Sequence, residues 1–321
     1  MFYFKKTSLL QLDKMGIEIP LLDARVLSLK KHLESKGAKI INLENEGFTL
    51  EDIKPFISLD YYKKLTNDPD KEIIKAFELI DKDGNYHRYN PENQSIPLTG
   101  LLNVSLLTIE SLWIASVDAL KTGVSFFIGG GYHHGMPHEG RGFCLLNDIA
   151  IVSKMMIKEK KLDSVWVIDV DAHKGDGTAV MTKDDDNIQT LSIHMANGWP
   201  LDNEDKNDPS FIPSIIDIEI KEGEEDIYLS SLEKGLKELK SQYKLPGLAI
   251  VALGADPYEH DELPSTSLLK LTLDQMSKRD QLVHRFLTEN KVPASYCIAG
   301  GYGNKAHEPY IEFFNYLLKN S

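Results

Sequence analysis

The chain is short of cysteine. It has two cysteines in 321 residues, Cys144 and Cys297, and both lie in apolar surroundings. Two cysteines in so long a chain do not indicate a disulfide framework. They are typical of packed thiols in a reducing compartment, so we expect a cytoplasmic protein.

Basic residues are also scarce. The chain has 36 Lys and Arg but 49 Asp and Glu, which gives a formal net charge of −13. Proteins bind nucleic-acid phosphates with clustered Lys and Arg, so this balance argues against a direct nucleic-acid partner. Ordinary solubility explains the acidic excess better than attraction of a cationic substrate does. We expect the acidic stretch from Asp202 to Asp208 to form a solvated loop.

Linkers and repeats are missing as well, and no membrane-spanning run is expected. The amino terminus lacks the apolar core of a signal peptide, and no run is expected to be long enough to span a bilayer, so no membrane partner is predicted. Neither a Pro/Ser-rich stretch nor a repeat period divides the chain. Length alone leaves one or two domains open, and the missing linker favours one domain over residues 1–321.

The sequence does contain an alternation of helical and strand-like segments. Helices are predicted over 22–36, much of 50–82, 101–121, 143–158, 226–243, 273–290 and 308–319, and strands over 38–43 and from near 124, 164, 188, 247 and 294. Such alternation predicts an α/β fold with a mostly parallel sheet flanked by helices on both faces.

Four of the predicted strands end in glycine or acid together with a chemically capable side chain. The strand ends carry Gly129-Gly-Gly-Tyr-His133-His134, Asp169-Val-Asp171-Ala-His173, Gly254-Ala-Asp256 and Gly300-Gly-Tyr302-Gly303. In open α/β sheets ligands bind outside the carboxyl ends of the strands, so these groups are predicted to meet in one crevice.

Asp171, His173 and Asp256 form a set of three ligands of the kind that a catalytic zinc uses. An isolated Asp-x-Asp-x-His is equally compatible with a hydrogen-bonded turn, and the neighbouring motifs favour the metal site. Two carboxylates also suit Fe(II), so either ion fits the pattern.

His133 and His134 stand beside the predicted metal site, where imidazole can take a proton from water. Asp169 and Asp176 are available to orient the two imidazoles. Tyr302 offers a phenolic donor for an oxyanion, and its flanking glycines favour an exposed turn over simple packing.

Together these motifs resemble the zinc-dependent histone deacetylase family, which includes acetylpolyamine amidohydrolases and acetoin-utilisation proteins. The resemblance covers about Leu98 to Tyr302 and includes Gly142-Phe-Cys-x-x-Asn147-Asp148. It implies an arginase/deacetylase-like fold and a zinc-dependent hydrolase that deacylates lysine.

The resemblance also implies roles for individual residues. Asp171, His173 and Asp256 would bind zinc, His134 paired with Asp176 would be the general base, His133 paired with Asp169 would tune the site, and Tyr302 would polarise the substrate carbonyl. A structural potassium ion would be bound by Asp169, Asp171, His173 and Ser192. Gly142, Phe143, Trp199 and Leu263 would line the substrate tunnel, and Leu263 favours acyl-lysine over acylpolyamine.

Some positions depart from the family pattern. Thr99 stands where several members have an aspartate that grips the substrate backbone, and Lys174 replaces a second histidine after the ligand. The loop 257–262 differs from the usual one, and no arginine behind the metal is assigned.

The expected reaction is hydrolysis of an N-acyl amide. Acyl-lysine in proteins or peptides is the expected substrate, and acetylpolyamine is the alternative. An arginase-like ureohydrolase would need a second ion, but Gly175 and Gly254 stand where further acids would be required. A catalytically silent acyl-ligand binder would need neither the histidine base nor Tyr302, which are present. Acyl chain length and oligomeric state stay open.

Overall fold

The computed structural model of the protein describes residues 1–44, 47–202 and 211–320. Its α-helices are α1 (Asp23–Ser35), α2 (Leu50–Ile53), α3 (Leu59–Asn67), α4 (Pro69–Ala76), α5 (Gly100–Thr122), α6 (Asp148–Lys160), α7 (Asp176–Thr182), α8 (Tyr228–Gln242), α9 (Leu273–Glu289) and α10 (Glu308–Lys319). Its strands are β1 (Phe2–Phe4), β2 (Ile40–Asn42), β3 (Val124–Phe127), β4 (Val165–Asp169), β5 (Ile188–Met195), β6 (Ile216–Ile220), β7 (Leu248–Leu253) and β8 (Ala294–Ile298). The predicted acidic loop, apart from Asp202, lies outside the described residues.

The strands form one sheet in the order β2-β1-β3-β8-β7-β4-β5-β6, and each neighbouring pair is parallel. The predicted α/β fold with a parallel sheet is therefore confirmed. Strands β4 and β7 are hydrogen-bonded neighbours near the centre, with Asp169 opposite Ala252. Their carboxyl ends, where the predicted ligand motifs begin, consequently lie side by side.

Each central strand is apolar on both faces, because helices cover both sides of the sheet. Along β4, Val165 and Val167 point into one hydrophobic core, whereas Trp166 and Ile168 point into the other. Helices α5 and α6 contribute to the first core, and α1, α8, α9 and α10 contribute to the second. The assignment of residues 1–321 to one domain stays a prediction.

Helix α5 corrects the expectation that no apolar run is long enough to cross a membrane. It has 23 residues, and by length and composition alone it passes that test. Most of it is buried inside the fold, where it contacts α6, β3 and β8. The same apolar residues that would suit a bilayer here form one of the two cores.

The helix predicted from Phe143 begins five residues later, at Asp148. The residues before it make a turn in which Arg141 and Cys144 pair, and Phe143 has a left-handed backbone with φ of 64°. Asn147 then caps the helix, since its side chain accepts a hydrogen bond from the Ala150 amide. The helical spacing of apolar residues thus continues into residues 143–147, although tertiary contacts hold these residues in a turn near the strand ends.

Candidate active site

The loop that follows β3 presents two histidines side by side. His133 and His134 are both nearly buried, and their ring centroids are 3.9 Å apart. Asp148 fixes the preceding turn, because its carboxylate accepts hydrogen bonds from the amides of Gly131 and Tyr132. Asn147 donates to the carbonyl of His133. The start of α6 therefore determines where the histidines lie.

Each histidine has its own buried aspartate. His133 Nδ1 is 2.7 Å from Asp169 Oδ2, and His134 Nδ1 is 2.6 Å from Asp176 Oδ1. Arg141 joins the His134–Asp176 pair, because its Nη1 lies 3.2 Å from Asp176 Oδ2. Sequence reasoning missed Arg141, although it immediately precedes the predicted tunnel motif.

The two imidazoles differ in protonation. Burial lowers the pKa of His133, but the charges of Asp169 and Asp171 outweigh burial and raise this pKa to about 10. Burial and the positive charge of His133 lower the pKa of His134 to about 3, against the pull of Asp176. At neutral pH His133 is therefore a cation and His134 a neutral base.

Asp171, His173 and Asp256 converge from the ends of β4 and β7. One ligand atom from each lies within 4.8 Å of the others, and all three side chains are buried. Backbone amides orient the carboxylates: the Gly300 amide donates to Asp171 Oδ2 at 2.7 Å and the Ala172 amide to Asp256 Oδ1 at 3.0 Å.

The electrostatics of this group fit a bound cation. Burial and the neighbouring Asp171 raise the pKa of Asp256 to about 7, because two like charges are confined without water. His173 lies 3.1 Å from Asp256 and 3.3 Å from Asp171, and these carboxylates raise its pKa to about 9 despite burial. A divalent ion would neutralise both carboxylates, and one imidazole with two carboxylates suits zinc or Fe(II).

Tyr302 is only 7% exposed, so the expectation of an exposed turn is wrong. Its amide donates to Asp261 Oδ2 at 2.7 Å, and the adjoining Gly301 and Gly303 have positive φ. Burial, with Asp256 and Asp171 nearby, raises the pKa of the phenol well above its ordinary value. The hydroxyl consequently stays protonated and can donate a hydrogen bond.

The four predicted tunnel residues line one cavity of about 150 Å³ together with catalytic candidates. Its lining comprises Gly142, Phe143, Trp199 and Leu263 with His134, His173, Ser265, Tyr302, Glu78 and Arg88. The Trp199 ring centroid is 4.5 Å from that of His134 and 5.6 Å from that of His173. An extended group that enters past these rings would reach His173 of the Asp171–His173–Asp256 group.

The residues predicted to hold potassium also lie together. Asp169 is opposite Ser192 in the β4–β5 register, and the Ser192 hydroxyl accepts from the Gly175 amide at 3.4 Å. Asp171 is held next to them, since its amide donates to Asp169 Oδ1. The potassium site stays a prediction.

Arg25 on α1 is a second residue that the sequence did not reveal. It is 7% exposed, and its Nη1 donates to the carbonyls of Ala299, Gly300 and Gly301 at 2.7 to 3.0 Å. This arginine therefore holds the loop that leads to Tyr302. It contacts backbone atoms 274 or more positions away, and no side-chain pattern signals such a contact.

The departures from the family pattern have structural counterparts. Lys174 is buried and donates to Asp217 at 2.9 Å, so the site tolerates a charge there. Thr99 lies just before α5 and is half-buried. The unusual loop 257–262 supplies Asp261, which binds the Tyr302 amide, and Glu262, which accepts from the Asn304 amide at 2.9 Å.

Comparison with known proteins places these features in context. The protein-family model described as the histone deacetylase domain matches residues 20–315. An uncharacterised protein of Picosynechococcus sp. is 30% identical over 210 residues, which are 65% of this chain and 66% of that protein. Histone deacetylase 2 of Arabidopsis thaliana is 32% identical over 189 residues, 59% of this chain and 47% of that protein.

The alignments thus span less than two thirds of the length of either curated relative. Among solved structures, acetylpolyamine aminohydrolase from Burkholderia pseudomallei is similar with a TM-score of 0.72. The match covers 98% of both chains at 16% sequence identity, a level at which the likeness shows the fold alone.

Proposed function

This chain belongs to the histone deacetylase family, and we propose that it is a zinc-dependent hydrolase that removes the acyl group from acylated lysine in proteins or peptides. The observation that carries the proposal is a cavity whose lining holds one member of each of three components. They are His173 of the buried Asp171–His173–Asp256 group, His134 of the His134–Asp176 pair, and the Tyr302 side chain.

Asp171, His173 and Asp256 would hold the ion, which when bound supplies a Lewis acid to polarise the acyl carbonyl. His134, neutral because its pKa is lowered, accepts the proton of the attacking water. Tyr302, protonated because its pKa is raised, donates a hydrogen bond to the carbonyl oxygen as negative charge develops there. The proton on His134 then passes to the departing amine.

The remaining charged residues tune these steps. His133 is paired with Asp169 at 2.7 Å, and a positive charge on His133 favours the neutral form of His134. Asp176 orients the His134 ring through a 2.6 Å contact at Nδ1. Oriented this way, the ring leaves Nε2 for the proton of water.

Two features of the tunnel lining support the proposal of lysine over a polyamine. Polyamines carry additional ammonium groups, which unpaired carboxylates would attract. The carboxylate in the tunnel lining belongs to Glu78, and it already forms an ion pair with Arg88. Leu263, also in the lining, is apolar and suits the methylene chain of lysine. Acetylpolyamine hydrolysis is the second candidate, and cytoplasmic location is part of the proposal.

Two other functions fit the described residues less well. Within 1–44, 47–202 and 211–320, one group of three potential ligands is found, whereas an arginase-like ureohydrolase needs two ions. A silent acyl-ligand binder would not require the pairing of His134 with Asp176. Metal counting per chain and assay of turnover distinguish both from the proposed enzyme.

The test is to load the purified protein with zinc or Fe(II) and to measure kcat/KM for acetyl-lysine peptides, long-chain acyl-lysine peptides and acetylated polyamines. Acyl-lysine peptides are expected to be the best substrates. Tyr302→Phe should lower kcat by about 10²- to 10³-fold, and His134→Ala by about 10²- to 10⁴-fold.

Tyr316→Phe, a change on the distant helix α10, is the matched control and should leave turnover unchanged. Full activity of both active-site variants would refute the mechanism. Faster hydrolysis of acetylpolyamines than of any acyl-lysine peptide would instead support the second candidate.

A further inference from the structure

A fully buried arginine on α9 reaches the backbone of both metal-ligand loops. Arg279 is 0% exposed, and its Nη1 donates to the Val170 carbonyl at 2.9 Å and to the Gly254 carbonyl at 2.8 Å. Its Nε donates to Asp280 Oδ1 at 2.8 Å. One nitrogen thus connects the segment after β4 to the segment after β7.

These two carbonyls lie at positions that determine the ligand geometry. Val170 lies directly before the proposed ligand Asp171, and Gly254 is two residues before Asp256. The fit is tight, because a Cβ atom on Gly254 would come within 2.5 Å of Asp171 Oδ2 and 2.6 Å of Asp256 Oδ1. A shift of either carbonyl would therefore change the spacing of the two carboxylates.

Burial of Arg279 and Asp280 costs free energy that space filling alone would not offset. Burying a guanidinium and a carboxylate removes both from water, and Asp280 Oδ2 has no hydrogen-bond partner among the described residues. An apolar residue of similar size would pack at lower cost. The arginine is explained better by its two carbonyl contacts than by the stability of the ion pair.

We propose that Arg279 is a positioning residue that fixes the distance between the β4 and β7 ligand loops, and that metal affinity and coordination geometry depend on it. The inference rests on the proposed function, since it takes Asp171, His173 and Asp256 as the ligands. Arg279 touches neither substrate nor metal in this proposal. It acts through the backbone of the ligand loops.

The test uses Co²⁺ as the probe in wild type, Arg279→Met and Arg279→Lys. Dissociation constants are measured by chelator competition, and d–d absorption reports the coordination geometry. Arg279→Met should bind Co²⁺ about 10- to 100-fold more weakly with an altered spectrum, as is typical when residues that orient metal ligands are lost. Arg279→Lys should recover part of the affinity, because an ammonium can donate to a carbonyl but lacks the planar guanidinium.

Two controls lie on the same helix. Arg285→Met changes an exposed arginine and should change neither stability nor Co²⁺ binding. Val283→Ala opens a cavity in the core and should lower the melting temperature while leaving the Co²⁺ dissociation constant and spectrum of the folded protein unchanged. Arg279→Met should differ from Val283→Ala in its metal binding, not merely in its stability.

The proposal is overturned if Arg279→Met is destabilised but binds Co²⁺ with the wild-type affinity and spectrum. If Arg279→Met does not fold, Arg279→Lys and Asp280→Asn decide in the same way: wild-type binding by both would overturn it, and weaker binding with altered spectra would support it. Failure of the wild-type protein to bind Co²⁺ would count against the proposed function itself, which separates the two outcomes.

Discussion

Two adjacent histidines with the same intrinsic chemistry are held in opposite protonation states. Both are buried, so desolvation lowers the pKa of each. The difference arises from partners: His133 faces Asp169 and Asp171, whereas His134 faces one carboxylate, Asp176, and the cation on His133. The proposed base thus owes its neutral form partly to its neighbour.

His133→Ala should move the acid limb of the pH profile. His134 must be neutral to accept a proton, so activity is lost as pH falls through its pKa. Removing the positive charge of His133 removes one cause that lowers this pKa, and the limb in kcat/KM should shift toward higher pH. The measurement is kcat/KM against pH, with exposed His138→Ala as a control whose profile should match wild type.

Gly142 is the position where an added methyl group would obstruct the tunnel. Its backbone has φ of 56°, and a Cβ atom would lie 2.2 Å from Trp199 Cη2 and 2.8 Å from His134 Cδ2. Gly142→Ala should therefore lower kcat/KM on the order of 10²-fold, by displacing the base and the tunnel wall. Steady-state assays with acetyl-lysine peptide measure the effect.

Gly37→Ala provides the matched control for Gly142→Ala. Gly37 has a similar φ of 67° but nothing within 4 Å of its Cβ position. It should lose about 1 kcal/mol of stability through backbone strain and retain full activity. Equal activity loss in both variants would show that strain, not obstruction, is responsible.

At the scale of elements, the loop after β7 holds the loop after β8. Asp261 accepts hydrogen bonds from the Tyr302 amide at 2.7 Å, the Leu263 amide at 2.9 Å and the Thr266 hydroxyl at 3.0 Å. The carboxylate therefore couples the proposed oxyanion donor to the tunnel wall. The unusual sequence of this loop does not prevent it from supporting the site.

Asp261→Asn should lower kcat more than it raises KM. A carboxylate has two accepting oxygens, whereas an amide has one, so at least one of the three bonds is lost and the Tyr302 turn loosens. We expect kcat to fall on the order of tenfold, less than for removal of the phenol itself. Asp274→Asn, on the exposed start of α9, should leave kcat unchanged; a change in KM alone for Asp261→Asn would argue that Tyr302 keeps its place.

Elements with long apolar periodicity could be predicted from the sequence. The helices predicted over 22–36, 273–290 and 308–319 agree with α1, α9 and α10 within a residue at each end. Strands β1 and β6 and helix α7 were missed. Strand β1 has only three residues, which are too few to form a pattern. Strand β6 could have been predicted, because Ile216, Ile218 and Ile220 alternate with polar residues.

The candidate site also has one part that the sequence predicts and one part that it does not. Histidines, acids and Tyr302 stand in short motifs at strand ends, so the parallel sheet predicted their convergence. Arg25 and Arg279 could not be predicted, because they bind backbone carbonyls that lie 274 and 109 positions away. A carbonyl has the same chemistry at every residue, and only the folded chain identifies which one is reached.

At the scale of the whole molecule, the proposed metal ligands connect neighbouring central strands. Asp171 and His173 follow β4 and Asp256 follows β7, with cores on both faces of the sheet. An ion bound there stabilises the folded state only, because the unfolded chain separates Asp171 and Asp256 by 85 positions. The free energy of unfolding should therefore depend on whether an ion is bound at this site.

Removal of zinc by a chelator should lower the melting temperature by several degrees. Free ion at about 100 times its Kd adds about 2.7 kcal/mol to the free energy of unfolding. With an unfolding entropy of about 2.1 cal/mol/K per residue, each kcal/mol corresponds to roughly 1.5 °C for a chain of 321 residues. Asp256→Asn should show little response to added zinc, whereas Asp274→Asn should respond as wild type does.

The zinc-dependent increment should also shrink as pH falls. Asp256 must be ionised to bind the ion, and its pKa in the metal-free fold is raised to about 7 by burial and Asp171. Below that pH protons compete with zinc for Asp256, because protonation of Asp256 stabilises the metal-free fold when the folded pKa exceeds the unfolded one. This competition reduces the difference between the zinc-bound and metal-free melting temperatures, and an increment that grew on acidification would contradict Asp256 as a ligand.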